Sequence, residues 1–223
     1  MNQSVACAQC INVACTTEDA DQRPANCPIK TKRAVIEAAL AEYAKPAIKA
    51  FARQAAIQEF ECYMPLPEGM TPRNPRVEEI AQFAKKMGFK KLGIAFCGGL
   101  SQEAEVLDTI LENRGFNVVS VRCSVGGIPK ETIGVSEKQK ISGPGTWETM
   151  CNPITQAMIL NEEKTELNIV VGLCVGHDAL FFRYVEAPCT VLIAKDRVFG
   201  HNPAAGLYLS QSYYKKLLRK ENS

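Results

Sequence analysis

Apolar positions along the chain change period twice, and those changes mark its organisation. From Thr31 to about Glu61, Val35, Ile36, Ala39, Leu40 and Tyr43 recur at helical spacing. Pro46 interrupts that run and can open a second helix through Ile48, Phe51, Ala52 and Ala55. The proline-rich stretch from Met64 to Pro72 predicts an extended connection. Beyond it, helical and strand periods alternate. Arg76–Met87 reads as an amphipathic helix stopped by Gly88, and Lys91–Phe96 as a short apolar strand. Ser101 then reads as the cap of a helix that buries Ala104, Leu107, Ile110 and Leu111 and closes at Gly115. Asn117–Arg122, Leu167–Leu173 and Thr190–Ala194 read as further strands; Pro153–Asn161 and Asp178–Val185 as helices. A terminal helix over Gly206–Leu218 would pack Leu207, Tyr208, Tyr214 and Leu217.

Strands that alternate with helices predict a mostly parallel sheet covered on both faces, a Rossmann/flavodoxin-like α/β fold. A chain of 223 residues is long enough for one such domain with a small appendage. The expected division is a cysteine-rich module over 1–30, a helical connector over 31–71 and the α/β domain over 72–223. The Gly/Pro-rich segment Gly126–Gly145 is too long for a simple connection, which predicts a functional or partner-binding role, with Trp147 anchoring it by packing.

Cysteine placement carries the chemistry. Cys7, Cys10, Cys15 and Cys27 crowd the start of the chain in a segment with few large apolar residues, and Pro28 follows the last. Such a segment cannot fold on burial, whereas metal ligation supplies folding free energy directly. The set therefore predicts a cysteine-ligated metal. Tetrathiolate sites suit iron–sulfur clusters and zinc alike. Zinc ribbons generally carry two C-x2-C pairs, and only Cys7 and Cys10 form one here. The run ending in Cys-Pro is closer to cluster-binding spacing, although it is longer than the bacterial ferredoxin pattern. An iron–sulfur cluster of the 4Fe–4S type is the expected cofactor, with zinc as the alternative.

A second set is scattered in sequence but matched in position. Cys97, Cys123 and Cys174 each stand where a predicted parallel strand gives way to its loop. In open parallel sheets those carboxyl ends share one rim, where ligands bind. Cys151 can join them from the long loop, making Cys97, Cys123, Cys151 and Cys174 a candidate second metal or thiol site. Small residues at Cys97-Gly-Gly and Cys174-Val-Gly offer backbone N–H groups to a thiolate or anionic cluster. His177, in the Cys174 loop, is a candidate ligand, proton donor or outer partner of a ligand. Cys62 and Cys189 read as structural. No G-x-G-x-x-G follows a strand, so a dinucleotide fingerprint is not indicated.

Composition narrows the choice further. Hydrophobic content of 46%, charged content of 22% and a net charge of +2 are those of an ordinary globular chain and argue against nucleic acid as partner. No apolar run approaches the ~20 residues of a membrane span, and the polar start does not read as a secretory signal. A cytoplasmic location is expected, where reducing conditions favour thiols and ligands over disulfides.

The motifs Cys7-Ala-Gln-Cys10 with Cys15 and Cys27-Pro28, Phe96-Cys97-Gly-Gly-Leu, Cys151-Asn-Pro and Gly172-Leu-Cys174-Val-Gly-His177-Asp resemble a family of cysteine-rich bacterial and archaeal metal-binding proteins of unknown function. The resemblance spans essentially the whole chain. It implies metal binding through cysteines and, by itself, neither activity nor substrate. The resulting expectation is a redox or electron-transfer protein, an oxidoreductase if it turns over, working with a redox partner protein or a small-molecule substrate. The rival expectations are a soft-metal carrier or sensor for Zn or Cu, and a thiol-dependent enzyme with a structural zinc.

Overall fold

The computed structural model describes residues 4–11, 13–16 and 22–220. Within the expected cysteine module, positions 1–3, 12 and 17–21 lie outside the described residues, but all four of its cysteines lie inside. The chain divides into two compact units, Met1–Glu61 and Cys62–Ser223.

In the first unit, a short 3-10 turn (Cys7–Gln9) and another (Ala14–Thr16) precede α1 (Pro28–Thr31), α2 (Arg33–Tyr43) and α3 (Pro46–Glu61). Pro46 does open α3, where its missing N–H costs nothing. Among the described residues of this unit no hydrophobic side chain is buried, and Val35, Leu40 and Phe60 remain well exposed.

The second unit begins with an antiparallel hairpin, β1 (Tyr63–Leu66) and β2 (Gly69–Pro72), where the proline pattern predicts a plain extended connection. The prolines are tolerated because a two-stranded ribbon is all edge. Then α4 (Arg76–Lys86), β3 (Lys91–Phe96), α5 (Ser101–Asn113), β4 (Asn117–Arg122), α6 (Pro153–Glu162), β5 (Leu167–Val171), α7 (His177–Tyr184), β6 (Cys189–Ile193) and α8 (Ala204–Tyr208) follow. The four later strands form one parallel sheet in the order β4-β3-β5-β6.

Alternation along the strands splits the core into two layers. Leu92, Ile94, Ile169 and Val171 face Ile80 and Ala84 of α4 and Leu107 and Leu111 of α5. Ala95, Val121 and Val170 pack with Ala157 and Leu160 of α6 and Phe181 of α7. β5 is buried along its whole length, as expected of a strand covered on both faces.

Three local expectations are corrected. Ser101 is the first residue of α5 rather than its cap; its hydroxyl donates to the Gly98 carbonyl at 2.7 Å, because a 3-10 turn over Gly98–Leu100 comes first. Trp147 is 71% exposed and anchors nothing by packing. The terminal helix is broken into α8 and two 3-10 turns, with Leu207, Tyr208 and Leu217 exposed; Tyr214 instead packs edge-on against Phe199, centroids 4.9 Å apart.

Candidate functional site

The first group of thiols surrounds a space. Cys7, Cys10, Cys15 and Cys27 all line one cavity of about 240 Å³, many times the ~30 Å³ share of a water molecule. A 3-10 turn brings Cys7 and Cys10 to the same side, with the Cys10 N–H donating to the Cys7 carbonyl at 3.1 Å. Cys27 lies at the start of α1, where its carbonyl accepts from Lys30 N and Thr31 N. Between the two pairs, Val13 has φ +44°, a left-handed conformation that a β-branched residue rarely adopts. Strain of that kind costs roughly 1–3 kcal/mol and clusters at functional sites. Arg23, also on the cavity wall, brings positive charge to it.

The second group sits on the carboxyl rim of the parallel sheet. Cys123 follows β4, Cys97 follows β3 and Cys174 stands three residues past β5, so three neighbouring strands deliver a thiol to one edge. Backbone bonds fix each one: Cys97 N donates to Val171 O, Cys123 N to Phe96 O, and His177 N to Cys174 O. Gly172, at φ +65°, turns β5 toward Cys174, and a Cβ there would stand 2.7 Å from the Leu100 side chain. Cys151 arrives from the long loop. An antiparallel bridge between Pro129 and Thr149 closes the loop's base, and Asn152 N donates to Cys123 O at 2.7 Å.

These sulfurs influence one another. Cys97, Cys123 and Cys151 share one buried cluster with Ala157, Leu173 and Phe181. Hydrogen bonding to Cys123, reinforced by burial, pushes the Cys97 thiol up to about 12. Cys123 is raised by its hydrogen bond to Cys151, partly offset by the one from Cys97. Cys151 is lowered, because Cys123 donates to it. The three form a polarised series running from Cys97 through Cys123 to Cys151. Cys189, at the opposite end of β6, is pushed up to about 11 by burial, as suits a structural thiol.

Cations surround the rim. Lys195 Nζ donates to Cys97 Sγ at 3.5 Å and Arg197 Nη2 to Cys174 Sγ at 3.1 Å. Gly98 N donates to Cys123 Sγ at 3.2 Å, and the Arg122 guanidinium lies over Gly98, where a Cβ would stand 2.8 Å from it. The nearby carboxylates are engaged elsewhere: Asp178 accepts from Gly176 N and Ala179 N, and Asp196 from Val198 N and Phe199 N. His177 heads α7 with its Nδ1 enclosed and without a hydrogen-bond partner. His201, at φ +65°, accepts from Asp196 N and belongs to the loop.

Beneath the rim lies Gln156, fully buried on α6. Its amide nitrogen donates to Val121 O at 2.6 Å and Phe96 O at 3.2 Å, tying together the two strand ends that carry Cys123 and Cys97. Lys195, Arg197, Arg122 and Gln156 escape a search of the sequence for metal ligands. Lys195 and Arg197 follow β6 at its carboxyl end, so the strand-end logic that finds the cysteines also reaches them.

Nothing among the described residues forms a ready cage for one ion: no group of three or more His, Cys, Asp or Glu side chains is arranged to hold a metal. None of the ten cysteines is in a disulfide. No described helix is long and apolar enough to cross a membrane.

Comparison with known proteins places the chain, as the motifs imply, among proteins of unknown function. An uncharacterized protein of Methanocaldococcus jannaschii is 43% identical over 212 residues, covering 95% of this chain and 97% of its own. A family described as "Protein of unknown function (DUF1847)" matches residues 27–192, a span that holds Cys27 and all four rim cysteines. The chain belongs to that family of unknown function.

Proposed function

We propose that this is an iron–sulfur protein with a redox role, in which the front-end thiols hold a cluster and the rim thiols form a second, chemically separate sulfur site. The observation that carries the reading is the cavity. A lone zinc ion draws its four thiolates to within about 2.3 Å of one point and leaves no space between them. Four thiols spread around about 240 Å³ instead suit a polynuclear centre that fills the volume with its own iron and sulfide. The lack of buried hydrophobic side chains among the unit's described residues supports the same reading, since ligation then supplies the folding free energy.

When bound, such a cluster supplies single electrons at a potential set by its ligands, net charge and hydrogen bonds. The chain's own contribution is the left-handed turn at Val13, between Cys10 and Cys15 on the cavity wall, and Arg23, which offsets negative charge. For the second unit we read a Rossmann/flavodoxin-like arrangement, supported by the strand order β4-β3-β5-β6 with helices in both layers. Its carboxyl rim is then the place for a substrate.

Iron and acid-labile sulfide analysis of oxygen-free protein tests the proposal. It expects about four of each per chain at the front end, with broad visible absorbance that bleaches on reduction. A colourless protein holding one tightly bound zinc at Cys7, Cys10, Cys15 and Cys27 would overturn it.

A further inference from the structure

We propose that Cys123 and Cys151 are a redox-active dithiol that reduces small, negatively charged disulfides, with Cys151 as the attacking thiol. The inference rests on reading the rim as a thiol site rather than a metal cage. Its geometric basis is a conjunction of three features. Cys123 and Cys151 are brought side by side by the 2.7 Å bond from Asn152 N to Cys123 O, although 28 positions separate them in sequence. Cys97 and Cys151 both pack against the buried cluster that contains Cys123. Three cations, Arg122, Lys195 and Arg197, stand around the same rim with no carboxylate paired to them in an ion bridge among the described residues.

Three of the four rim thiols, Cys97, Cys123 and Cys151, have distinct surroundings, and these assign their roles. Cys123 is buried and receives the Gly98 N–H, whereas Cys151 is partly open to solvent. The open thiol can be reached by a substrate; the buried one can be reached only by its neighbour. The Cys151 thiolate attacks one sulfur of the substrate disulfide, forming a mixed disulfide and releasing the other half as a thiolate. Cys123 then loses its proton to that leaving thiolate and attacks the Cys151 sulfur. The mixed disulfide breaks, the Cys123–Cys151 disulfide forms, and the second half leaves as a thiolate that takes a proton from water. Two thiols of the protein are oxidised and one external disulfide is reduced. A stronger external dithiol reverses the exchange and restores the pair. Cys97, packed against the same cluster and engaged by Lys195 Nζ, positions the Cys123 thiol and forms no bond itself.

Charge defines the substrate class. An anionic disulfide approaching Cys151 meets the field of Arg122, Lys195 and Arg197, which raises its encounter rate; a cationic one is repelled.

The test uses the full chain, kept oxygen-free, with 5,5′-dithiobis(2-nitrobenzoate) as the anionic probe and cystamine as the cationic one. With one equivalent of the anionic probe, two thionitrobenzoates should be released per chain in two phases, and peptide mapping should find a Cys123–Cys151 disulfide. Cys123→Ser should stop after the first release, with the probe trapped on Cys151. Lys195→Gln together with Arg197→Gln should slow the anionic probe about tenfold while leaving cystamine no slower. The wild-type map needs no variant, so a misfolded mutant leaves the question answerable. The proposal is overturned if the disulfide joins other residues, if label stays on Cys97 or Cys174, or if the rim thiols react only after iron or zinc is chelated away. Failure of the front-end reading looks different: iron is then missing from Cys7, Cys10, Cys15 and Cys27 while the Cys123–Cys151 link still forms.

Discussion

The molecule carries two groups of four cysteines, set in contrasting surroundings. At the front end the thiols line one cavity, in a unit whose described residues bury no hydrophobic side chain. At the rim they stand at the strand ends of a packed sheet, with Cys123 itself part of the core, ringed by Arg122, Lys195 and Arg197. Under the proposed reading the first group of thiols helps to make the structure, whereas in the second the surrounding backbone and cations set the properties of the thiols.

The sharpest way to break this contrast is to remove front-end ligands. Cys10→Ser with Cys15→Ser should abolish iron binding and the helical signal of residues 1–61, since metal ligation in small units supplies on the order of 10 kcal/mol. Cys97→Ser should leave both intact. Equal iron loss from the two variants, measured by metal analysis and circular dichroism, would erase the distinction.

A smaller effect is expected at Gln156. Replacing it by Leu leaves the carbonyls of Phe96 and Val121 without the amide that joins them, which should cost about 2 kcal/mol in urea unfolding of the α/β unit. The iron content should not change, because this amide supports only the rim. A stability within ~0.5 kcal/mol of wild type would show that the strand ends need no such tie.

The smallest expected effect concerns the long loop. Lys130 and Ser142 hold the Glu148 carboxyl at about 2, far below its usual 4.5. A depressed carboxyl favours the folded loop above its ordinary value, and that contribution fades as pH falls from about 4.5 toward 2. Fluorescence of Trp147, the single tryptophan, should report a loosening across that window that Glu148→Gln removes. The same transition persisting in the variant would assign it to other carboxylates, such as Glu137, which is also lowered by Lys140 and Gly145 N.

Much of the fold was legible because it is written in short-range periods. Lys91–Phe96 and Asn117–Arg122 are strands over the predicted residues, and β5 reads as buried on both faces. The hairpin at Tyr63–Pro72 was hidden by its prolines, which signal a loop unless the strand is known to be an edge. The broken C-terminal segment was hidden by the opposite error: helical spacing of Leu207, Tyr208, Tyr214 and Leu217 says nothing without a surface to pack on. Trp147 misled for the same reason, since a large ring in a loop implies burial only if something covers it. The loop is instead held by polar bonds, with Lys140 buried to 2% beside Glu131 and Glu137.

The chain by itself settled where strands end, and hence that Cys97, Cys123 and Cys174 belong to one rim, because parallel strands point their carboxyl ends the same way. It also settled that Cys7, Cys10, Cys15 and Cys27 form a local group. Only the tertiary structure decided what surrounds each group. Whether sulfurs enclose a space or touch, and which of Lys195, Arg197 and Arg122 stand beside them, depends on loops returning from distant positions. Spacing in sequence records chain length; the chemistry of a thiol depends on distance, burial and charge in three dimensions.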